Sequence, residues 1–309
     1  MAEATDTSAA SLPHSGMVAL VGRANVGKST LMNRLMEEKV SIVSPVPQTT
    51  RNMIRGILTD SRGQLVLLDT PGVHKARHEL GKVMNRTARR SIEGVDAVLL
   101  VLDGSSPVWE EDEGWMRKLA KESTPVVMAL NKSDLGLKHE PEYRACWARV
   151  AAERPGIPEP RWVSLSATTG AGTAALTDLL FGLLPPGPAL FPVEILTDFP
   201  RKLNIADVIR EKLFGVLKQE LPHAIAVRVE DIVEEESRWT VRAVIYVDKP
   251  TQKPIVIGHK GRLLRKVKRQ SEAELRAMYE KEVAVEMWVK VEPNWAGNYW
   301  IRKQLGYEG

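Results

Sequence analysis

One short segment near the start of the chain has the residues of a phosphate-binding loop. Residues 22–29 read Gly-Arg-Ala-Asn-Val-Gly-Lys-Ser, with the two glycines spaced as this pattern requires. Glycines let backbone amides turn toward phosphate, Lys28 neutralises the phosphate charge, and the Ser29 hydroxyl is a ligand for Mg²⁺. A nucleoside phosphate is therefore expected to contact this loop, namely Gly22, Arg23, Ala24, Asn25, Val26, Gly27, Lys28, Ser29 and Thr30.

A second segment lies at the end of an apolar run of strand length. Asp69 is followed by Thr70, Pro71, Gly72 and Val73. The Asp69 carboxylate can hold Mg²⁺ through water, and the Gly72 amide can meet the terminal phosphate of a nucleotide. We include all five residues in the predicted nucleotide site.

A third segment, residues 47–51, reads Pro-Gln-Thr-Thr-Arg and precedes the next predicted strand. A threonine hydroxyl in a mobile loop is the kind of group that a terminal phosphate and Mg²⁺ capture when the loop becomes ordered. We favour Thr50 for this role, with Thr49 as the alternative. The predicted Mg²⁺ ligands are Ser29, Thr50 and Asp69, and the predicted catalytic groups are Lys28, Thr50, Asp69 and Gly72.

A fourth segment specifies the base. Residues 131–134, Asn-Lys-Ser-Asp, follow an apolar strand, and a carboxylate at Asp134 can accept from both N–H donors on the Watson–Crick edge of guanine, which adenine lacks. Ser166 and Ala167 follow another predicted strand and offer an amide toward the guanine O6. The sequence thus predicts GTP and GDP as ligands, with a base site of Asn131, Lys132, Ser133, Asp134, Ser166 and Ala167.

A basic stretch in the second half of the chain predicts nucleic-acid binding. Residues 249–269 carry eight Lys or Arg and no acidic residue, and they include Gly258-His259-Lys260-Gly261. Such a GxxG loop between two helices clamps the backbone of about four unpaired nucleotides. We expect single-stranded RNA to contact Ile257, Gly258, His259, Lys260, Gly261, Arg262, Arg265 and Lys266.

The elements that position these segments indicate two domains. Apolar runs of strand length alternate with helical stretches up to Leu184, which predicts an α/β domain with a mostly parallel sheet. A proline-rich segment follows, and beyond it the pattern predicts an α+β order of α-β-β-α-α-β. The expected divisions are a disordered leader at 1–16, the nucleotide domain at 17–185, a linker at 186–193 and the RNA-binding domain at 194–309.

Composition excludes several classes of protein. The 309 residues are 43% hydrophobic and 27% charged, as in a globular protein, with a net charge of +4. Apolar runs such as Ala97–Leu102 fall far short of the roughly 20 residues that a membrane-spanning helix needs. The one cysteine, Cys146, cannot form an internal disulfide. We therefore expect a cytoplasmic protein.

Taken together, these motifs resemble the Era GTPases, assembly factors of the small ribosomal subunit, and the resemblance runs from Met17 to Tyr307. It implies a Ras-like P-loop GTPase domain followed by a type II KH domain. It further implies that the RNA is the 3′ end of small-subunit ribosomal RNA and that the chain acts in 30S subunit assembly. Peripheral contact with the inner membrane also belongs to this family. We expect the chain to be a monomer.

The resemblance also refines the expected chemistry. Val73 occupies the position where Ras-like enzymes have a water-orienting glutamine, so weak intrinsic hydrolysis is expected. Asn25 matches the loop asparagine that coordinates K⁺ beside the phosphates in related GTPases. Ala24 departs from the proline of many Era proteins. Residues 296–298 are less charged than is usual in the family.

Three alternatives remain at this point. The chain could be an RNA-binding scaffold that uses nucleotide only for folding, a GTPase of the Der type, or an ATP-using enzyme. The single phosphate-binding motif with an intact GxxG loop argues against the Der type, and Asp134 argues against ATP.

Other patterns have simpler interpretations. A zinc pair at His74 and His78 lacks supporting ligands, and the acidic residues 110–113 fit the first turn of a helix. Trp288, Trp295 and Trp300 are assigned to the core or a lid rather than to base stacking.

Overall fold

The computed structural model describes residues 13–73 and 79–307. Most of the predicted leader, as well as His74 and His78, lies outside these ranges. The first strand begins at His14, so residues 14–16 belong to the sheet rather than to a leader.

The first domain is an α/β sandwich around a six-stranded sheet. Its strand order is β2-β3-β1-β4-β5-β6, where β2 is antiparallel to β3 and every other pair is parallel. This confirms the mostly parallel Ras-like fold. Its elements are β1 (His14–Val21), α1 (Lys28–Met36), β2 (Ile54–Asp60), β3 (Gly63–Asp69), α2 (Glu79–Arg90), β4 (Ala97–Asp103), α3 (Glu110–Leu119), β5 (Val126–Asn131), α4 (Glu140–Ala152), β6 (Arg161–Ser164) and α5 (Thr173–Phe181).

Apolar side chains on both faces of this sheet explain its continuous hydrophobic strands. All seven residues of β4 are buried, since helices cover both faces. The parallel strands β1, β3, β4 and β5 all run toward one edge, and there they end at Val21, Asp69, Asp103 and Asn131. The predicted nucleotide segments follow three of these ends, so the topology gathers them at one edge of the sheet.

The second domain packs helices on a three-stranded sheet. Strand β7 is antiparallel to β8, and β9 is parallel to β8. The order of helices and strands is the predicted α-β-β-α-α-β of a KH domain, followed by one more helix. The elements are α6 (Arg201–Phe214), β7 (Ile225–Glu234), β8 (Arg238–Val247), α7 (Gln252–Ile257), α8 (Arg262–Tyr279), β9 (Glu282–Val291) and α9 (Tyr299–Gln304).

The proline-rich connector is bound to the first domain. The buried Gln64 side chain accepts from the amides of Leu190 and Phe191, both at 2.8 Å, and donates to the Phe191 carbonyl at 2.9 Å. Further along, the Leu196 carbonyl accepts from the Ile57 amide at 2.8 Å. The connector therefore extends beyond the predicted residues 186–193, because the chain stays on the first sheet until α6 begins after Pro200.

Across the described ranges, the helices are too short or too polar to cross a lipid bilayer.

Replacing Gln64 should release this connector. Gln64→Leu removes three hydrogen bonds to residues 190–191 and should lower the free energy of unfolding by about 1–3 kcal/mol. Proteases should also cut residues 186–200 faster. Urea unfolding and limited proteolysis measure the two effects. Gln270→Leu, at an exposed helical position, should change stability by less than about 0.5 kcal/mol. An unchanged cleavage rate in Gln64→Leu would contradict this account of the connector.

Candidate nucleotide and RNA sites

The predicted nucleotide segments line one cavity of about 500 Å³ at the carboxyl edge of the large sheet. The predicted residues that line it are Ala24, Asn25, Gly27, Lys28, Ser29, Thr30, Thr50, Gly72, Asn131, Lys132, Asp134 and Ala167. The other predicted residues are not part of this lining, namely Gly22, Arg23, Val26, Asp69, Thr70, Pro71, Val73, Ser133 and Ser166.

The loop between β1 and α1 can form only with glycine at two positions. Gly22 and Gly27 have φ of 145° and 101°, and a Cβ on Gly27 would lie 2.3 Å from Nδ2 of Asn131. Within the loop, Nζ of Lys28 donates to the carbonyls of Gly22 at 3.1 Å and Arg23 at 2.8 Å. Burial lowers the pKa of the Lys28 ammonium to about 8. The loop thus holds a buried cation against the cavity.

The structure brings Ser29, Thr50 and Asp69 together as predicted. Oγ of Ser29 lies 2.6 Å from Oδ2 of Asp69 and 2.9 Å from Oγ1 of Thr50. The second oxygen, Oδ1 of Asp69, is buried and has no hydrogen-bond partner among the described residues. Burial raises the pKa of Asp69, and a bound cation would lower it. Such hard oxygen donors around an unpartnered carboxylate oxygen fit Mg²⁺.

The two candidate threonines differ in their surroundings. Oγ1 of Thr49 donates to the Val46 carbonyl at 2.6 Å, whereas Oγ1 of Thr50 faces Ser29. This arrangement favours Thr50, as the sequence did. Ser41 was not predicted, although its hydroxyl donates to Oδ2 of Asp69 at 2.9 Å. A single serine outside any motif gives no signal from which this contact could be predicted.

The segment after Asp69 packs tightly against the phosphate-binding loop. Oγ1 of Thr70 donates to the Leu20 carbonyl at 2.7 Å, so this hydroxyl ties strands together rather than facing the cavity. A Cβ on Gly72 would lie 2.6 Å from Cα of Ala24. The amide of Val73 donates to the Gly22 carbonyl at 3.3 Å, and its side chain is buried in the core. Only glycine at position 72 allows the backbone of this segment to lie so close to Ala24.

The base site is built around Asn131. Its Nδ2 donates to the Val26 carbonyl at 2.8 Å, and its Oδ1 accepts from the Ala167 amide at 2.9 Å. Asn131 therefore joins the phosphate-binding loop to the loop after β6. A backbone amide of Ser166 or Ala167 was expected to face guanine O6, but the Ser166 amide donates to the Ala171 carbonyl and the Ala167 amide to Asn131. Asp134 is exposed at the cavity and accepts from the Ser166 hydroxyl, which orients its carboxylate.

Arg23 turns away from the predicted phosphate position. Its Nε donates to Oδ2 of Asp112 at 3.0 Å, and its Nη2 donates to Ser106 at 2.6 Å. The acidic run 110–113 forms the first turn of α3 as predicted, and within it Asp112 is fully buried. Asp103 pairs with Lys132 at 2.7 Å and lies 3.7 Å from Arg23, and it therefore links the phosphate-binding loop to the base loop.

The GxxG loop forms one tight turn between α7 and α8. Gly258, Lys260 and Gly261 all have positive φ, and a Cβ on Gly258 would lie 2.7 Å from Cβ of Leu263. The predicted cations here are exposed, namely Lys260, Arg262, Arg265 and Lys266, as is His259. Ile257 packs against the core of the second domain, so its predicted contact with RNA is not favoured.

The three tryptophans divide between core and surface. Trp295 is 1% exposed, and its Nε1 donates to the Ala224 carbonyl at 2.9 Å. Trp288 and Trp300 are 42% and 68% exposed, so neither is a core residue, and of the prediction of core or lid only the lid remains for them.

Profiles of two families match separate parts of the chain. One described as 50S ribosome-binding GTPase matches residues 17–132, and one described as KH domain matches residues 220–296. These matches fall on the first and the second domain respectively.

Relatives of known name are similar over nearly the full length. GTPase Era of Geobacter sp. (strain M21) is 40% identical over 297 residues, which are 95% of this chain and 98% of that protein. GTPase Era of Halothermothrix orenii is 37% identical over 301 residues, which are 96% of this chain and 99% of that protein.

Solved structures are similar to both domains. Era of Aquifex aeolicus bound to GDP and AlF4⁻ matches with a TM-score of 0.88 and 32% identity, covering 96% of this chain and all of that one. A structure of Era with MgGDPNP and nucleotides 1506–1542 of 16S ribosomal RNA gives the same values.

Changing Asp134 should change the preferred base. Asp134→Asn removes the carboxylate that accepts from guanine, while its new amide can donate to the extra carbonyl oxygen of xanthine. Affinity for GDP should fall about 100-fold or more, and affinity for XDP should rise. Competition titrations with the two nucleotides measure the shift. Glu122→Gln, an exposed change outside the cavity, should leave both affinities unchanged. An unaltered preference for GDP in Asp134→Asn would contradict the base assignment.

The buried Lys28 should make nucleotide binding depend on pH. Phosphate oxygens should return its pKa from about 8 toward the ordinary value, so binding above pH 8 takes up a proton. Affinity for GDP should consequently fall by up to about tenfold per pH unit between pH 8 and 10. Calorimetry at pH 9 in two buffers of different ionisation enthalpy measures the uptake. Proton release on binding, or an affinity independent of pH over this range, would refute this view.

Proposed function

This chain belongs to the Era family of GTPases, and we propose that it is a GTP-hydrolysing switch that binds the 3′ end of small-subunit ribosomal RNA in 30S subunit assembly. One observation carries the proposal. A single chain joins the Ser29, Thr50 and Asp69 site to a GxxG loop, in the same two-domain arrangement as an Era protein that holds MgGDPNP and 16S ribosomal RNA.

In the first domain, the proposed roles follow from where each group lies. Ser29, Thr50 and Asp69 would hold Mg²⁺, which neutralises charge on the phosphates when it is bound. Lys28 would neutralise further charge from within the loop, and the amide of Gly72, which lines the cavity, would meet the terminal phosphate. Val73 is buried and apolar, so it cannot orient the attacking water, and slow intrinsic hydrolysis is expected.

In the second domain, the exposed cations of the GxxG loop would contact phosphates of unpaired RNA. Lys260 and Arg262 lie within and directly after the loop, and Arg265 and Lys266 continue on the exposed side of α8. Such contacts position the RNA without reading its sequence. Affinity for RNA should therefore fall steeply with salt.

We further propose K⁺ as a second cation at the phosphates. Asn25 lines the cavity with φ of 62°, and its Nδ2 donates to the Pro45 carbonyl at 3.1 Å. This hydrogen bond leaves the carboxamide oxygen as the group that would contact K⁺. K⁺ placed there would add positive charge at the transition state.

We propose that the chain works as a monomer in the cytoplasm and that it contacts the inner membrane peripherally. The family resemblance supports the membrane contact, and the single cysteine, Cys146, supports the cytoplasmic location. Ultracentrifugation of the purified protein and fractionation of cells with and without high salt test these proposals.

RNA should stimulate GTP hydrolysis through the GxxG loop. In K⁺ buffer, an oligonucleotide matching the 3′ end of small-subunit ribosomal RNA should raise the steady-state rate several-fold, and Na⁺ should support a lower rate. Lys260→Gln with Arg262→Gln should abolish the stimulation but retain the basal rate, because these exposed cations do not line the nucleotide cavity. Phosphate release measures the rate.

A matched control removes two positive charges from the first domain instead of the second. Lys121→Gln with Lys138→Gln, both exposed, should leave the stimulation intact. Undetectable hydrolysis with RNA and K⁺ would instead support an RNA-binding scaffold. If the RNA binds without raising the rate, the GTPase assignment stands, but this RNA is excluded as the activator of hydrolysis.

A further inference from the structure

The residue directly after Thr50 is held by the second domain. Arg51 is 2% exposed, and its guanidinium donates to the carbonyls of Ile225 at 2.8 Å and Pro222 at 3.2 Å. It also lies over three aromatic rings of the second domain at 5.6–5.8 Å, those of Phe214, Trp295 and Tyr307. A side chain of the nucleotide domain thus ends inside the other domain.

The residue directly before Thr50 is held by the second domain as well. Nη2 of Arg210, in α6, donates to the Thr49 carbonyl at 3.0 Å. Nη1 of the same residue contacts the Tyr307 hydroxyl at 2.9 Å and Oδ1 of Asp207 at 2.6 Å. Arg210 is 1% exposed. Thr50 therefore has both of its chain neighbours bound to the second domain.

These contacts are strong constraints because they are buried and charged. Two guanidinium groups share the Tyr307 hydroxyl, at 2.9 Å from Arg210 and 3.5 Å from Arg51, with Asp207 as the adjacent carboxylate. A buried cation that loses its hydrogen-bond acceptors is costly, so each guanidinium stays where its acceptors are. The peptide groups on either side of Thr50 are fixed with them, and so is its Oγ1, 2.9 Å from Ser29.

On this geometry we propose that Arg51, Arg210 and Tyr307 form an interdomain clamp that positions Thr50 for Mg²⁺ and the terminal phosphate of GTP. The inference rests on the proposed function, since it assigns Thr50 to the nucleotide site. Arg210 and Tyr307 are then positioning residues that touch neither nucleotide nor metal. The second domain consequently sets how strongly the first prefers GTP over GDP, because only GTP has the phosphate that Thr50 meets.

Removing one hydroxyl tests the clamp with little disturbance. Tyr307→Phe keeps the ring but deletes the acceptor shared by the two guanidinium groups. Affinity for a non-hydrolysable GTP analogue should fall about fivefold to tenfold, whereas affinity for GDP should change less than about twofold. The basal hydrolysis rate should fall with the analogue affinity. Titrations of both nucleotides with Mg²⁺, with thermal unfolding in parallel, give the readouts.

Tyr246→Phe is the matched control. Tyr246 is a buried tyrosine of the same domain and belongs to the same apolar cluster as Tyr307, but it contacts Arg228 and Lys290 rather than the clamp. Removing the Tyr246 hydroxyl should leave the ratio of GTP-analogue to GDP affinity unchanged. An equal shift of the ratio in both variants would overturn the proposal.

Arg210→Lys provides a second, stronger change. Lysine keeps a positive charge beside Asp207, but it lacks the planar fork that reaches Thr49, Tyr307 and Asp207 at once. We expect a larger loss of GTP-analogue affinity than in Tyr307→Phe, again with GDP affinity retained. If both variants fold and keep the wild-type ratio, or if they weaken both nucleotides equally, the clamp does not position Thr50.

Measurements on the wild-type protein distinguish a failure of the clamp proposal from a failure of the proposed function. Wild-type protein that hydrolyses GTP and binds RNA, together with variants that keep its nucleotide preference, would reject the clamp alone. Wild-type protein that binds no guanine nucleotide would reject the proposed function itself.

Discussion

A buried ammonium group is the constraint on which the nucleotide domain depends. Lys28 is 6% exposed, and a cation so placed requires acceptors on all sides. The loop supplies two of its own carbonyls, and this path of the chain is open only to glycine at positions 22 and 27. Asp69 adds the nearby negative charge that favours the charged form. The order of strands follows, since β1 and β3 must be neighbours to bring Lys28 and Asp69 together.

Much of this arrangement could be predicted from sequence because its signals are local. The phosphate-binding loop, the Asn-Lys-Ser-Asp segment 131–134 and the GxxG turn each need fixed residue types at fixed spacing, so short segments identify them. The continuously apolar strand at 97–102 predicts a doubly covered sheet for the same reason. The family resemblance then supplied the partners of these motifs, which spacing alone does not contain.

The parts that sequence did not reveal are contacts between distant segments. Ser41 reaches Asp69, and Asp112 reaches Arg23 across 89 positions of the chain. Arg51 lies inside the predicted segment 47–51, yet its side chain contacts the other domain. The type and spacing of these residues in the sequence do not indicate which distant residues they contact. Such contacts become visible only in the folded structure.

The binding of the connector to the large sheet has a consequence for how the two domains meet. Since α6 begins directly after the bound segment, no slack chain separates the domains, and each presents its surface to the other at a high effective concentration. The contact between them consequently needs little intrinsic affinity to be occupied. If the contact were opened, the bound connector would bring its two halves back together in the same register.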